Sequence, residues 1–162
     1  MTVGNKVIYP SQGPCVIGPV VKKSVDGRLV SFYRLAPLEG GGGEVFVPVD
    51  KAQAIGIRAL LKRSEIPKLL GQFKKASRSA GNWKQRAMDN VKLFASGSAF
   101  DLAEVVESLT ELSETKTLSP RDKETLERAR KLLISEISEV TGETKSAAGE
   151  RIDQALKMRK RE

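Results

Sequence analysis

Between Ile55 and Phe73 the chain reads IGIRALLKRSEIPKLLGQF, and its hydrophobic pattern changes within this stretch. Before the stretch, short apolar runs separated by turn residues are typical of β-strands. From Ser64 onward, apolar residues recur at intervals of three and four, as they do on one face of a helix. The sequence therefore predicts an α+β protein in two domains, residues 1–60 and 61–162.

The first domain carries runs rich in Val, Ile, Phe and Tyr. The predicted strands are Lys6–Tyr9, a run from Cys15 to Val21, Leu29–Leu35 and Val45–Val47. Asp26-Gly27 is a strong hairpin signal between two of them. Short strands at this spacing predict a small, strongly bent barrel, with Gly13 and Gly18 at the bends.

The sequence of the second domain predicts a bundle of about five helices. The predicted N-terminal caps are Ser64, Asn82, Ser98 and Ser119, and a last helix covers roughly residues 144–158. Pro120 follows one cap and favours the first helical position. Gly97 and Gly142 are expected to end two of the helices.

The charge of the chain is uneven. The formal net charge is +8, and residues 63–97 hold eight Lys/Arg against two Asp/Glu, which gives +6. Residues 98–162 hold twelve Lys/Arg against fourteen Asp/Glu, which gives −2. A basic stretch of this kind favours nucleic acid as a partner, with an anionic membrane surface as the second candidate. A basic protein without such a partner is the alternative.

Little in the sequence favours an enzyme. The chain has no histidine, so the commonest general base and metal ligand is missing. The tract Gly40–Gly43 lacks the Lys-Ser/Thr of a phosphate-binding loop and is read as a hairpin loop. The single cysteine, Cys15, lies among apolar residues and is predicted to be a small buried hydrophobe. We expect no catalytic site, no cofactor and no metal.

The sequence also lacks the usual signals for membranes and secretion. No run approaches the roughly 20 apolar residues of a membrane-spanning helix. The N-terminus shows no basic-then-apolar pattern of a signal peptide. We therefore expect a cytoplasmic protein with no membrane partner.

The segment Asn82–Arg86, NWKQR, is the strongest candidate for a binding site. Trp83 is the only tryptophan and falls in the first turn of a predicted helix, where free backbone N–H groups favour phosphate. Lys84 and Arg86 could hold phosphates while the ring meets a base step. Trp83 also shares one helical face with Ala87, Val91 and Phe94, so a role in the core is an equal alternative.

Five parts of the chain follow, in order and at fitting spacings, the pattern of one bacterial family. They are Gly4–Gly13, Val47–Val49 leading to Ile55–Arg58, Asn82–Arg86, Ala103–Val106, and Leu118-Ser119 with Ala129–Leu133. Across nearly its whole length the sequence resembles the CarD/CdnL family of transcription regulators.

The resemblance implies that residues 1–60 form a Tudor-like domain, akin to the polymerase-binding module of the transcription-repair coupling factor, that binds the RNA polymerase β subunit. It implies that residues 61–162 contact promoter DNA just upstream of the −10 element. The family's tryptophan enters the minor groove at the upstream edge of the bubble and favours the open promoter complex, and it falls on Trp83. Arg86 and Lys123 fall on family basic positions.

The polymerase-facing edge is expected near Phe46 and Val47, with Lys22 and Lys23 on the preceding hairpin; such an edge can extend a partner's sheet or pack beside it. Family members can carry a basic residue before the Val-Pro pair, where this chain has Phe46, so docking is expected to be more apolar or weaker. Gln85 stands where members often have arginine, so one phosphate contact is expected to be missing.

Three functions are compatible with these observations. The leading expectation is a non-enzymatic regulator that binds polymerase and promoter DNA together and stabilises the open complex. The others are an architectural DNA-binding protein that needs no polymerase, and an adaptor whose basic helices bind an acidic protein. A monomer is expected, with a dimer through the edge strands of the β-domain as the alternative.

Overall fold

A computed structural model describes residues 2–10, 12–39, 43–74 and 83–158, and for residues 83–87 it describes the backbone only. The chain divides into two compact units, Met1–Leu60 and Leu61–Glu162. The first is built on strands and the second on helices, so the predicted α+β architecture with the strands first is confirmed.

The first unit, here called the sheet unit, contains one antiparallel sheet. Its strands are β1 (Lys6–Tyr9), β2 (Gly13–Ile17), β3 (Val21–Val25), β4 (Arg28–Pro37), β5 (Val45–Pro48) and β6 (Arg58–Ala59). They pair in the order β3-β4-β2-β1-β6, and β5 pairs with β4. A 3-10 turn (Val49–Lys51) and a short helix, α1 (Ala52–Ile55), connect β5 to β6.

Strand β4 is ten residues long and pairs with β3, β5 and β2 along successive segments, so it is the strand that joins the others into one sheet. The sheet is not closed: within the described residues, β3 and β6 form the two ends of the pairing order. The predicted barrel is therefore an open six-stranded sheet. The short strands explain this, since β6 has two residues and β5 four.

Turn chemistry fixes the β3–β4 hairpin. Asp26 and Gly27 have φ of 51° and 77°, the left-handed pair that a two-residue hairpin turn requires. Glycine is needed at position 18 because the backbone of β4 passes close to it. The Gly18 N–H donates to the Arg34 carbonyl at 2.7 Å, and a Cβ at Gly18 would lie 3.2 Å from that oxygen.

The core of the sheet unit is small. It consists of Val7, Cys15, Ile17, Leu35, Val47 and Ala52. The Cys15 side chain is fully buried, which confirms its predicted role as a small hydrophobe. Burial raises the pKa of the Cys15 thiol, because the low-dielectric interior disfavours the thiolate.

The second unit, here called the helical unit, contains five helices within the described residues, as predicted. They are α2 (Ile66–Phe73), α3 (Trp83–Ser96), α4 (Ala99–Thr115), α5 (Pro120–Thr141) and α6 (Lys145–Lys157), and a 3-10 turn (Arg63–Glu65) precedes α2. The apolar stripes meet in one core, to which α2, α4, α5 and α6 contribute fully buried side chains.

Most predicted helix ends are confirmed. The hydroxyls of Ser98 and Ser119 accept hydrogen bonds from backbone N–H groups three residues later, and Pro120 occupies the first turn. Gly97 and Gly142 both have positive φ and end their helices. Asn82 lies outside the described residues.

The cap predicted at Ser64 is wrong. Ser64 lies inside the 3-10 turn, and the helix proper begins two residues later, at Ile66. The turn is closed instead by the Glu65 carboxylate, which accepts a hydrogen bond from the Lys62 N–H at 3.0 Å. This is the bond that the glutamate of a capping box makes to the N–H three residues before it.

Candidate functional site

The candidate DNA-binding residues lie at the starts of two helices. Trp83, Lys84 and Arg86 belong to the first turn of α3, and their side chains lie outside the described residues, so their orientation stays a prediction. Lys123 lies in the first turn of α5 and is exposed. An exposed cation at this position is free to meet a phosphate.

The described part of α3 presents apolar side chains to solvent. Met88 is 57% exposed and Val91 is 58% exposed, whereas Leu93 and Phe94 pack partly against the helical core. The face that the sequence assigned jointly to Val91 and Phe94 is therefore split between solvent and core. Among the described side chains of α3, those of Leu93 and Phe94 in its C-terminal half connect it to the helical core.

An aromatic contact links α3 to α5. The Arg128 guanidinium lies over the Phe94 ring, 5.1 Å from its centroid, within the range of a cation–π contact. Arg128 and Lys92 are both exposed. The contact therefore brings a cation of α5 next to the basic helix α3, five residues after Lys123 in the same helix.

The candidate polymerase-binding residues divide between the two faces of the sheet. The register pairs Arg34 with Phe46 and Lys23 with Val30, which places Phe46 and Lys23 on the same, outer face. The Lys23 ammonium lies 3.8 Å from the centroid of the Phe46 ring. Phe46 remains 40% exposed, so the stack forms part of the molecular surface.

Val47 and Lys22 belong to the opposite face. Val47 follows Phe46 in an alternating strand and is only 1% exposed, so its side chain is part of the core. Lys22 is exposed near the hairpin. Within the described residues β5 pairs with β4 alone, so Val47 can contribute to an interface only through its backbone.

Sequence reasoning missed an ion pair beside Phe46. Arg34 donates to both carboxylate oxygens of Glu44, and the Nη2–Oε1 distance is 2.5 Å. The hydrogen bond and the charge of Arg34 lower the pKa of Glu44. In turn, the hydrogen bond to Glu44 and the charge of that carboxylate raise the pKa of Arg34. Strand pairing was the available signal, because Arg34 stands opposite Phe46 and Glu44 immediately precedes β5.

In the part of the chain that the structure describes, no group of three or more His, Cys, Asp or Glu side chains is placed to hold a metal ion. Among the described helices, none has the length and apolar character needed to span a membrane.

Comparison with known proteins addresses both units. The model of the CarD-like/TRCF RID domain matches residues 1–61, and the model of the CarD C-terminal domain matches residues 66–153. A relative in Bacillus subtilis (strain 168), YdeB, is provisionally named a transcription factor. It is 25% identical over 143 residues, which cover 88% of this chain and 93% of YdeB. The chain therefore belongs to the CarD family of transcription regulators associated with RNA polymerase.

Proposed function

We propose that the protein binds the RNA polymerase β subunit through the sheet unit and promoter DNA upstream of the −10 element through the helical unit. Holding both at once, it stabilises the open promoter complex. The observation that carries the proposal is the presence of both family domains, in order, on one chain. The protein acts by binding and has no catalytic step.

The outer face of the sheet supports polymerase docking. Phe46 lies there with Lys23 stacked on its ring, and Arg34 stands beside it. Arg34 is paired with Glu44, so Lys23 supplies the charge here. An exposed aromatic ring with a cation stacked on it suits a partner surface that is apolar at its centre and acidic at its rim. Phe46 occupies the position where family members can have a basic residue, so here the ring supplies the contact and Lys23 supplies the charge.

Helix order supports a shared DNA surface of α3 and α5. Helix α4 packs against both α3 and α5, through connections of two and four residues. Short connections favour antiparallel neighbours, so α3 and α5 run in about the same direction. Their N-terminal turns, with Lys84 and Arg86 on one and Lys123 on the other, then point toward the same end of the unit.

A higher affinity for opened than for closed promoter DNA would explain how the protein stabilises the open complex. A ligand shifts an equilibrium only by binding one state more tightly than the other. Wedging Trp83 between base pairs requires unstacking, which costs on the order of a few kcal/mol per step. That cost is smallest at the edge of a bubble, where stacking is already interrupted. The bound protein would therefore favour opened over closed DNA.

Trp83→Ala tests the DNA contact. We expect a shorter lifetime of the open complex, with the melting temperature and the affinity for the β subunit nearly unchanged. Val91→Ala is the control, because it removes an exposed apolar side chain from the same helix. Lifetimes come from competitor-challenge assays on purified polymerase. If Trp83 were a core residue, its removal would instead cost about 3–5 kcal/mol of stability, and a large melting drop without a specific lifetime defect would refute the proposed role.

Phe46→Asp tests the polymerase contact. An acidic residue removes the ring and opposes an acidic partner, so binding to purified β subunit should weaken while DNA affinity stays the same. Leu29→Asp is the matched control, since Leu29 is 71% exposed and its register places it on the other face of the hairpin. Equal affinity of both variants for the β subunit would move the interface elsewhere. DNA binding with no polymerase binding at all would indicate the architectural alternative.

A further inference from the structure

The connection between the two units is unusually short. Strand β6 ends at Ala59, and its two residues pair with β1 inside the sheet unit. The helical unit begins at Leu61. Only Leu60 therefore lies between the last paired residue of one unit and the first residue of the other. How far the units can move relative to each other depends on whether Leu61 and the residues after it are themselves fixed.

The first of these residues is held by a buried carboxylate. The backbone N–H of Leu61 donates to Oε2 of Glu136 at 2.8 Å, across 75 positions of sequence. Glu136 lies in the C-terminal half of α5 and is 1% exposed. A carboxylate is costly to bury and stays buried only where hydrogen bonds satisfy it. Such a bond from an N–H to a charged oxygen is stronger than one between neutral groups.

The next two residues are held as well. The Lys62 N–H donates to the Glu65 carboxylate at 3.0 Å. The Arg63 guanidinium donates to the backbone carbonyl of Thr141, the last residue of α5, at 2.7 Å. That carbonyl is one of the terminal acceptors that a helix leaves without an internal partner, and a cation there also complements the helix dipole.

We infer that Glu136 and Arg63 form a clamp that fastens the interdomain connection to the C-terminal end of α5 and leaves Leu60 as the single pivot between the units. The contacts share one helix end and act on neighbouring residues. Without them, the connection between Ala59 and the 3-10 turn at Arg63–Glu65 would be a flexible linker of three residues, 60–62. With them, rotation is limited to the backbone torsions that flank Leu60.

The clamp has a consequence that rests on the proposed function. A protein that holds polymerase and DNA at once gains from a high effective concentration of the second site after the first has bound. That concentration falls when the linker allows many orientations that do not reach the second site. Glu136 and Arg63 are thus positioning residues, which act on binding through the geometry of the connection and touch neither partner.

The direct test measures the spread of distances between the units. Spin labels are placed at the exposed positions Ser24 and Glu150 in a Cys15→Ala background of the full-length chain. We expect a narrow distance distribution in the parent protein and a broader one in Glu136→Leu and in Arg63→Ala. Glu136→Gln keeps an acceptor oxygen and should remain close to the parent. Glu127→Gln, at an exposed ion pair of the same helix, is the matched control.

A second readout follows the hydrogen bond itself. Exchange of the Leu61 amide should accelerate about tenfold or more when its acceptor is removed, since a hydrogen bond to a charged group contributes about 1.5 kcal/mol or more. Arg63→Ala keeps the test decisive if Glu136→Leu fails to fold, because Arg63 is exposed. A folded Arg63→Ala variant with the parent's distance distribution, together with unchanged Leu61 exchange in any folded Glu136 variant, would overturn the clamp.

Measurements of binding affinity and of open-complex lifetime distinguish failure of the clamp from failure of the proposed function. Clamp variants should keep their separate affinities for the β subunit and for DNA, yet lose open-complex lifetime. If the parent protein binds neither polymerase nor DNA, the proposed function fails while the distance measurement still decides the clamp. Broader distances with an unchanged lifetime would refute the positioning role.

Discussion

The two units of this protein place their apolar side chains differently. Among the described residues, the sheet unit buries a cluster of six, and the helical unit, less than twice as long, buries eighteen. Among the side chains that the structure describes, seven of the ten large apolar ones exposed to solvent belong to the sheet unit. The sheet unit thus exposes apolar side chains on its surface, where a partner can cover them. The helical unit buries more of its apolar side chains in its core.

This difference has a thermodynamic meaning. A domain of about 60 residues buries a smaller share of its surface than a larger one and is only marginally stable. A partner that binds only the folded state raises its stability by mass action. We therefore expect the sheet unit to depend more on its few core residues, and on its partner, than the helical unit does.

The largest expected effect comes from matched cavities in the two cores. Leu35→Ala and Leu133→Ala each remove a fully buried leucine and should cost about 2–5 kcal/mol. Reaction of the Cys15 thiol with a disulfide reagent reports on the sheet unit, and circular dichroism at the helix band reports on the helical unit. Leu35→Ala should release the thiol while the helix signal persists, whereas Leu133→Ala should lower the helix melting temperature.

The parent protein provides the control for both reporters. Its Cys15 should react slowly at neutral pH, because the thiol is buried and its raised pKa keeps it protonated. A single transition, in which both variants release the thiol and the helix signal together, would show that the units unfold as one. The comparison between the two cores would then be wrong.

Local signals predicted most of the fold. The turn at Asp26-Gly27, the caps at Ser98 and Ser119 and the glycine helix end at Gly142 are each specified within four residues of sequence. Interactions between distant residues were not predictable in this way. Glu136 looks like any surface glutamate in a helix, and its partner at Leu61 lies 75 positions away.

The candidate site was predictable in part for the same reason. Strand alternation places Phe46 and Val47 on opposite faces, so the burial of Val47 could have been inferred from the pattern alone. The stack of Lys23 on Phe46 could not be inferred from the pattern, because it depends on β3 and β5 both pairing with β4.

A smaller effect is expected at the helix caps. Ser119→Ala removes a hydroxyl that accepts from the Asp122 N–H at 3.1 Å and should cost about 1 kcal/mol. Ser64→Ala is the matched control, because Ser64 lies in a turn that Glu65 closes, and it should stay within about 0.5 kcal/mol of the parent. Chemical denaturation followed by circular dichroism measures both. Equal losses would mean that Ser64 stabilises α2 after all.

The smallest effect is expected from the exposed ion pair of the sheet unit. Arg34 lowers the pKa of Glu44 below its ordinary value of 4.5, so the pair favours folding while the carboxylate is ionised. Its contribution is present above 4.5 and is lost as the pH falls through the lowered value. Glu44→Gln should therefore be slightly less stable than the parent near neutrality and equal to it in strong acid.

Melting temperatures of the two proteins across the acidic range measure this difference. High salt should shrink it, since both side chains are exposed to solvent. A gap that widens in acid would contradict the assigned direction of the pKa shift.

The ten-residue strand β4 also sets an order of assembly for the sheet. Its pairing with β3 closes a two-residue turn, whereas β6 pairs with β1 by joining Val7 to Ala59. Closing the longer loop costs more chain entropy, so the β3–β4 hairpin should form early and β6 late. The late strand is the one that leads into Leu60. During synthesis, the sheet unit would complete itself only once the chain has already passed into the sequence of the helical unit.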